Sequence, residues 1–170
     1  MSSIRQIQAK YDAEEDRLLL RVGTELDDVH GIWLTRRYLR LVLKALAQYA
    51  DADPDVGVHE SKSDRQDIKD WKARQALDKA NFDTPFEADR DRVSSGLVNV
   101  PLAYKLNYRI TKNQLQLTLL PKQGEGLNVA LNHEVAASMT AILQAAAAKA
   151  EWRINQPFDP VAQQNLKIIN

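Results

Sequence analysis

Few side chains in this 170-residue sequence are spaced for bond-making chemistry. The histidines, His30, His59 and His133, stand far apart and show none of the short spacings by which imidazoles share a metal ion. Cysteine is absent, which removes thiolate zinc ligands, a disulfide framework and a cysteine nucleophile together. Gly124-Glu125-Gly126 is too short to cradle a phosphate and reads as a turn, and no Gly-x-Ser-x-Gly elbow occurs. Glu14, Glu15 and Asp16 cluster, but between two strand-like runs, where polar residues make a solvated turn. No catalytic residue, metal ligand or cofactor is therefore assigned, and an enzyme ranks behind the binding readings.

One set of side chains does share a chemistry. Alternation puts Gln6, Gln8, Lys10, Arg17, Leu19, Arg21 and Trp33 on one side of the strands in the first half. It does the same for Lys105, Asn107, Arg109, Gln114, Gln116, Thr118, Asn128 and Ala130 in the second half. Five of these are basic and none is acidic, although the chain holds 23 basic and 23 acidic residues. Lysine and arginine neutralise phosphates and an indole stacks on a base, so such a face suits a single-stranded nucleic acid. The plain alternative is a solvated sheet face, with Trp33 covered by a neighbouring segment.

Arg36 and Arg37, followed by Arg40 and Lys44, open a helix. Cations in a first turn oppose the helix macrodipole at a cost of a few tenths of a kcal/mol, so positive charge there suggests a use at the strand–helix junction. The candidate nucleic-acid-binding residues are thus Lys10, Arg17, Arg21, Trp33, Arg36, Arg37, Arg40, Lys105 and Arg109.

The elements that would position them follow from hydrophobic period. Ile7, Ala9 and Tyr11 alternate, as do Leu18, Leu20 and Val22, and a short strand carries Ile32 and Leu34. Thr35 caps a helix whose stripe is Tyr38, Leu41, Val42, Ala45, Leu46 and Tyr49. The second half repeats the plan. Tyr104, Leu106, Tyr108 and Ile110 alternate, a turn falls at Lys112-Asn113, and Leu115, Leu117 and Leu119 follow. Val129 and Leu131 form a third strand, and Asn132 caps a helix carrying Val135, Met139, Ile142, Leu143 and Ala146. The halves align without a gap at a constant offset of 97, with Tyr11 on Tyr108 and Leu18 on Leu115. The expected fold is α+β: two pseudo-repeated β-β-β-α units, antiparallel in sheet, with both helices on one face.

The units occupy residues 1–50 and 101–152, followed by an extended tail over 153–170, in one compact domain. Between them, residues 51–100 carry 8 basic and 12 acidic side chains and form an acidic connector. Ser63-Asp64-Arg65-Gln66 reads as a capping box that opens a helix over about 64–80, with Ile68, Trp71 and Leu77 on a thin apolar stripe. Residues 81–92 then read as an extended charged loop. The connector helix is expected to dock on the basic junction at Arg36, Arg37 and Arg40 through Asp64, Asp67 and Asp70. No apolar run approaches a membrane span or a signal peptide, so no membrane contact is expected and the cytoplasm is the expected compartment.

The rival to nucleic-acid binding is a protein-interaction module, acting as a homodimer. Its basis is the alanine-rich second helix (Ala137, Ala141, Ala145, Ala148) and the leucines Leu39 and Leu43, which fall outside the stripe of the first helix.

The run from Tyr11 to Leu20, with Ile32-Trp33-Leu34-Thr35-Arg36-Arg37, Asn81-Phe82-Asp83-Thr84-Pro85 and Ala150-Glu151-Trp152, resembles a group of uncharacterised bacterial proteins. That resemblance implies a bacterial, intracellular origin and assigns no particular activity. In architecture, duplicated strand-rich units each ending in a helix resemble Whirly-type single-stranded DNA-binding proteins. Those have four strands before each helix where three are read here, and their lysine-rich signature is missing.

Overall fold

The computed structural model describes residues 4–24, 29–58, 61–79 and 99–154. It holds two three-stranded antiparallel sheets, β1 (Ile4–Asp12), β2 (Arg17–Thr24) and β3 (Val29–Leu34), then β4 (Ala103–Ile110), β5 (Leu115–Pro121) and β6 (Leu127–Leu131). Each sheet runs into a helix, α1 (Arg36–Asp51) and, at the end, the helix His133–Lys149. The α+β class and the two strand-strand-strand-helix units are as expected from the alternation. Its source is visible in the burial: Leu18, Leu20, Leu115 and Leu119 are fully buried, while their sequence neighbours mostly face outward.

The caps of the two unit helices form as the sequence predicts, whereas the connector helix begins at Lys62, ahead of the predicted cap Ser63, whose amide donates to the Ser61 hydroxyl at 3.2 Å. The Thr35 hydroxyl accepts the Tyr38 amide at 3.2 Å, and the Asn132 side chain accepts the Val135 amide at 2.8 Å. The α1 stripe differs from the expected one. Leu39 is fully buried and Leu41 is 45% exposed. The centre of the stripe runs through Leu39, Val42, Leu46 and Tyr49, in steps of three and four, which leaves Leu41 on its flank. Leu39 is therefore a core residue of the chain itself and offers no surface to a dimer partner.

The gapless offset of 97 holds for β2, β3 and α1 against β5, β6 and the last helix, but not for β1 against β4. Leu20 pairs with Ala9, whereas its counterpart Leu117 pairs with Tyr108. The first strand is displaced by two residues, and Tyr11 and Tyr108 are not equivalent. The turns account for this. Four residues, 13–16, separate the Asp12–Arg17 pair, but only Lys112 and Asn113 lie between Thr111, whose amide donates to the Gln114 carbonyl, and Gln114 itself. With the displacement applied, an irregularity of the ladder at Ile4/Gln6 coincides with one at Ala103/Lys105.

Between the units lie α2 (Pro54–Gly57) and α3 (Lys62–Lys79); the helix His133–Lys149 is α4. The unit helices cross over: α1 packs on β4 of the second unit, α4 packs on β1 of the first, and the two helices touch. The Tyr38 hydroxyl donates to the Lys105 carbonyl at 3.0 Å, and that of Tyr108 donates to Gln48 Oε1 at 2.7 Å. Burial pushes the Tyr38 hydroxyl up to about 12. One hydrophobic core takes side chains from both units, which rules out two subdomains with separate cores.

The connector helix does not dock where the sequence suggested. It lies along α4, at the opposite end of α1 from Arg36, Arg37 and Arg40. Lys69 pairs with Asp51, and Lys72 pairs with Asp53 at 2.5 Å and Asp55 at 2.9 Å. The polarity is the reverse of the expected one. Residues 62–79 carry six basic and four acidic side chains, so the acidity of the connector lies outside its helix, and the negative end of α1 attracts the lysines. The loop expected over 81–92 and the tail beyond Ile154 fall outside the described residues.

Candidate nucleic-acid interface

Strand alternation that buries leucines on one side turns the candidate residues to the other. In the first sheet, Lys10, Leu19 and Trp33 form one cross-strand row, and Gln8, Arg21 and Gly31 form the next. The Trp33 amide donates to the Pro101 carbonyl at 2.8 Å, and Trp33 meets Leu102 in a parallel bridge. This link carries the outer face from β3 to the approach to β4. There Lys105, Asn107 and Arg109 point outward opposite Leu120, Thr118 and Gln116, and all three are exposed.

Two of the first-sheet cations already have partners. Arg17 lies 4.0 Å above the Trp33 ring and is ion-paired with Glu15. Such a cation–π contact contributes about 0.5–1 kcal/mol at a partly exposed site. Arg21 donates to Gln8 Oε1 at 3.4 Å. Lys10 is exposed. Leu19 is buried even though it points to this side. The face is also not free of acid: β1 extends to Asp12, which pairs with Arg17 and shares its side. The Asp12 carboxylate accepts the amides of Glu14 and Glu15 at 2.9 and 3.0 Å, which builds the turn and keeps the carboxylate there. The acid-free stretch is the outer face of the second sheet.

Arg36, Arg37 and Arg40 are not brought into this face, because α1 lies on the inner side of the sheets. Arg36 and Arg37 are exposed, and Arg40 donates to the Arg153 carbonyl at 3.2 Å. Arg36 acts on Asp16, in the turn between β1 and β2. The hydrogen bonds from Trp152 and Tyr11, with a lesser contribution from the Arg36 charge, hold the Asp16 carboxyl below its ordinary range against the opposing effect of burial. The same bond to Asp16 raises the Tyr11 hydroxyl. The nine residues thus divide into a sheet-face group and a junction group.

A second polar centre has no signal in the sequence beyond Asp53-Pro54. Asp53 is 6% exposed and is the one buried charged residue among those described. It accepts the Asp55 amide at 3.0 Å and holds Lys72, and His133 Nδ1 lies 3.7 Å from it. His133 stacks on Tyr49 at 4.1 Å with the rings nearly parallel. Burial works against the Asp53 charge, but the bonds from Lys72 and the Asp55 amide outweigh it and the carboxyl is lowered. Burial likewise disfavours the Lys72 ammonium, and the bonds to Asp53 and Asp55 raise it in net. Among the described residues, no three His, Asp or Glu side chains are grouped to hold a metal ion, and no helix is long and apolar enough to cross a membrane.

No family model, no curated protein and no solved structure matches the chain.

Proposed function

We propose that the protein binds single-stranded nucleic acid on the outer face of its sheets and acts by binding. The observation that carries this reading is the exposed, acid-free run Lys105, Asn107 and Arg109 on β4, joined through the Trp33–Leu102 bridge to Trp33 and Lys10. The cations would neutralise phosphates, and the Trp33 ring would receive a base once Arg17 swings from it to the backbone of the strand. Titration of labelled single-stranded DNA at several salt concentrations tests the reading. Each phosphate contact contributes about 0.7 to the slope of log K against log salt, so five cations predict a slope of about −3 to −4. Absence of binding at micromolar protein in low salt removes it.

A second reading is self-association. The exposed Leu102 and Tyr104, at 45% and 67%, favour it, because they lie together beside the inter-sheet bridge. Light scattering distinguishes it from the first reading. We also infer that the two units descend from one duplicated segment. The matching caps at Thr35 and Asn132 and the matching ladder irregularities support this better than sequence identity does. Cytoplasmic residence belongs to the same picture, supported by the lack of cysteine.

A further inference from the structure

We propose that α3 is a strap that leaves the fold as a unit while the core stays folded, and that the Asp53 carboxylate is the catch that holds it. No described side chain of α3 belongs to the hydrophobic core, Trp71 is 59% exposed and Ile68 is half-buried. An 18-residue helix whose described side chains bury so little is marginal by itself. What ties it to the end of α1 is charge: Lys69 on Asp51, and Lys72 on both Asp53 and Asp55.

These pairs are unequal. The side chains of Asp51 and Asp55 are 58% and 76% exposed, so water and salt screen them. That of Asp53 is 8% exposed and is shielded from both. Asp53 is also the point where four helices meet. Its amide donates to the Ala50 carbonyl of α1, its carboxylate caps α2, and Lys72 of α3 and His133 of α4 reach it. Among the described residues, Lys72 is the cation of α3 that reaches the buried carboxylate, and removing it takes that contact away. Removing Lys69 takes away only an exposed pair. Release would bare the side of α4 on which α3 lies.

Hydrogen exchange on the full chain, read by mass spectrometry, tests the strap. In Lys72→Met, which keeps the stem and removes the charge, amides of residues 62–79 should exchange at least about tenfold faster, while those of β2 and β5 keep their wild-type rates. Lys69→Met should accelerate the same segment about two- to threefold. Unchanged rates in 62–79 for Lys72→Met overturn the proposal. So does an acceleration shared by α3 and the strands, which would make α3 part of the cooperative core. If Lys72→Met does not fold, Lys69→Met decides alone: acceleration confined to 62–79 supports the strap, and either other result overturns it.

Discussion

The indole nitrogen of Trp152 donates to Asp16 Oδ1 at 2.8 Å, joining residues 136 apart in the chain. The same carboxylate oxygen accepts the Tyr11 hydroxyl at 2.9 Å, and the Tyr11 and Trp152 rings meet edge to face at 6.0 Å. Asp16 sits at φ 49, a left-handed conformation that aspartate tolerates better than most residues. The first hairpin is thereby closed onto the end of the last helix.

Trp152→Ala should lower stability by about 3–5 kcal/mol, as for other large-to-small changes of a buried aromatic. Trp152→Phe keeps a ring and loses the donor, so it should cost markedly less. Urea unfolding followed by circular dichroism gives both values.

The Asp16 carboxyl is held below its ordinary 3.8, first by the Trp152 bond. Its contribution is therefore complete above pH 3.8 and is lost as pH falls through the lower, folded value. In Trp152→Phe the folded value lies closer to 3.8, so the acid limb should begin at the same pH but fall less steeply than in the wild type. A pH series of urea midpoints checks the difference in slope.

Leu39→Ala should destabilise by about 2–5 kcal/mol, and Leu41→Ala, two residues further on at the exposed flank, by about 0.5 kcal/mol or less. Equal effects in thermal melts would contradict the observed orientation of α1.

Gly126→Ala should be destabilising, because the added Cβ would stand 2.3 Å from the Leu119 carbonyl oxygen. Backbone at that distance has to move, at a cost of about 1–3 kcal/mol. Nothing lies within 4 Å of the corresponding point on Gly124, but its φ of 90° strains any other residue by about 1–2 kcal/mol. The two variants should thus fail for different reasons, and Gly124→Asn, which tolerates left-handed backbone better, should recover much of the loss.

In the binding reading, Lys105→Ala with Arg109→Ala should weaken single-stranded DNA at least about tenfold and flatten the salt slope by about 1.4. Arg36→Ala with Arg37→Ala should do far less, because those side chains belong to the junction. Fluorescence anisotropy at matched salt separates the two pairs.

The strands and caps were legible because each rests on local spacing. Leu18, Leu20 and Val22 share a face at period two, and Thr35 and Asn132 need only a side-chain oxygen three residues before an amide. The choice between Leu39 and Leu41 was not local. It depends on α1 being pressed by β4 and α4 at once. The register of β4 depends on a turn two residues shorter than its counterpart, which an ungapped comparison of apolar positions cannot register. The sheet-face cations were legible from alternation, but Asp12 rejoined them because β1 runs one residue longer than its apolar pattern. Asp53 had no sequence signal because its importance comes from Lys72 and His133, 19 and 80 positions further on.

The crossing of α1 onto β4 and α4 onto β1 makes each half of the chain the other's missing partner. A chain severed in the connector should behave like a heterodimer: neither piece folds alone, and mixing them restores the fold at a midpoint that depends on concentration. In the intact chain the connector keeps the pieces joined, so their meeting is intramolecular and does not depend on concentration. The fold could therefore be divided into two separately expressed halves whose reassembly reports their meeting.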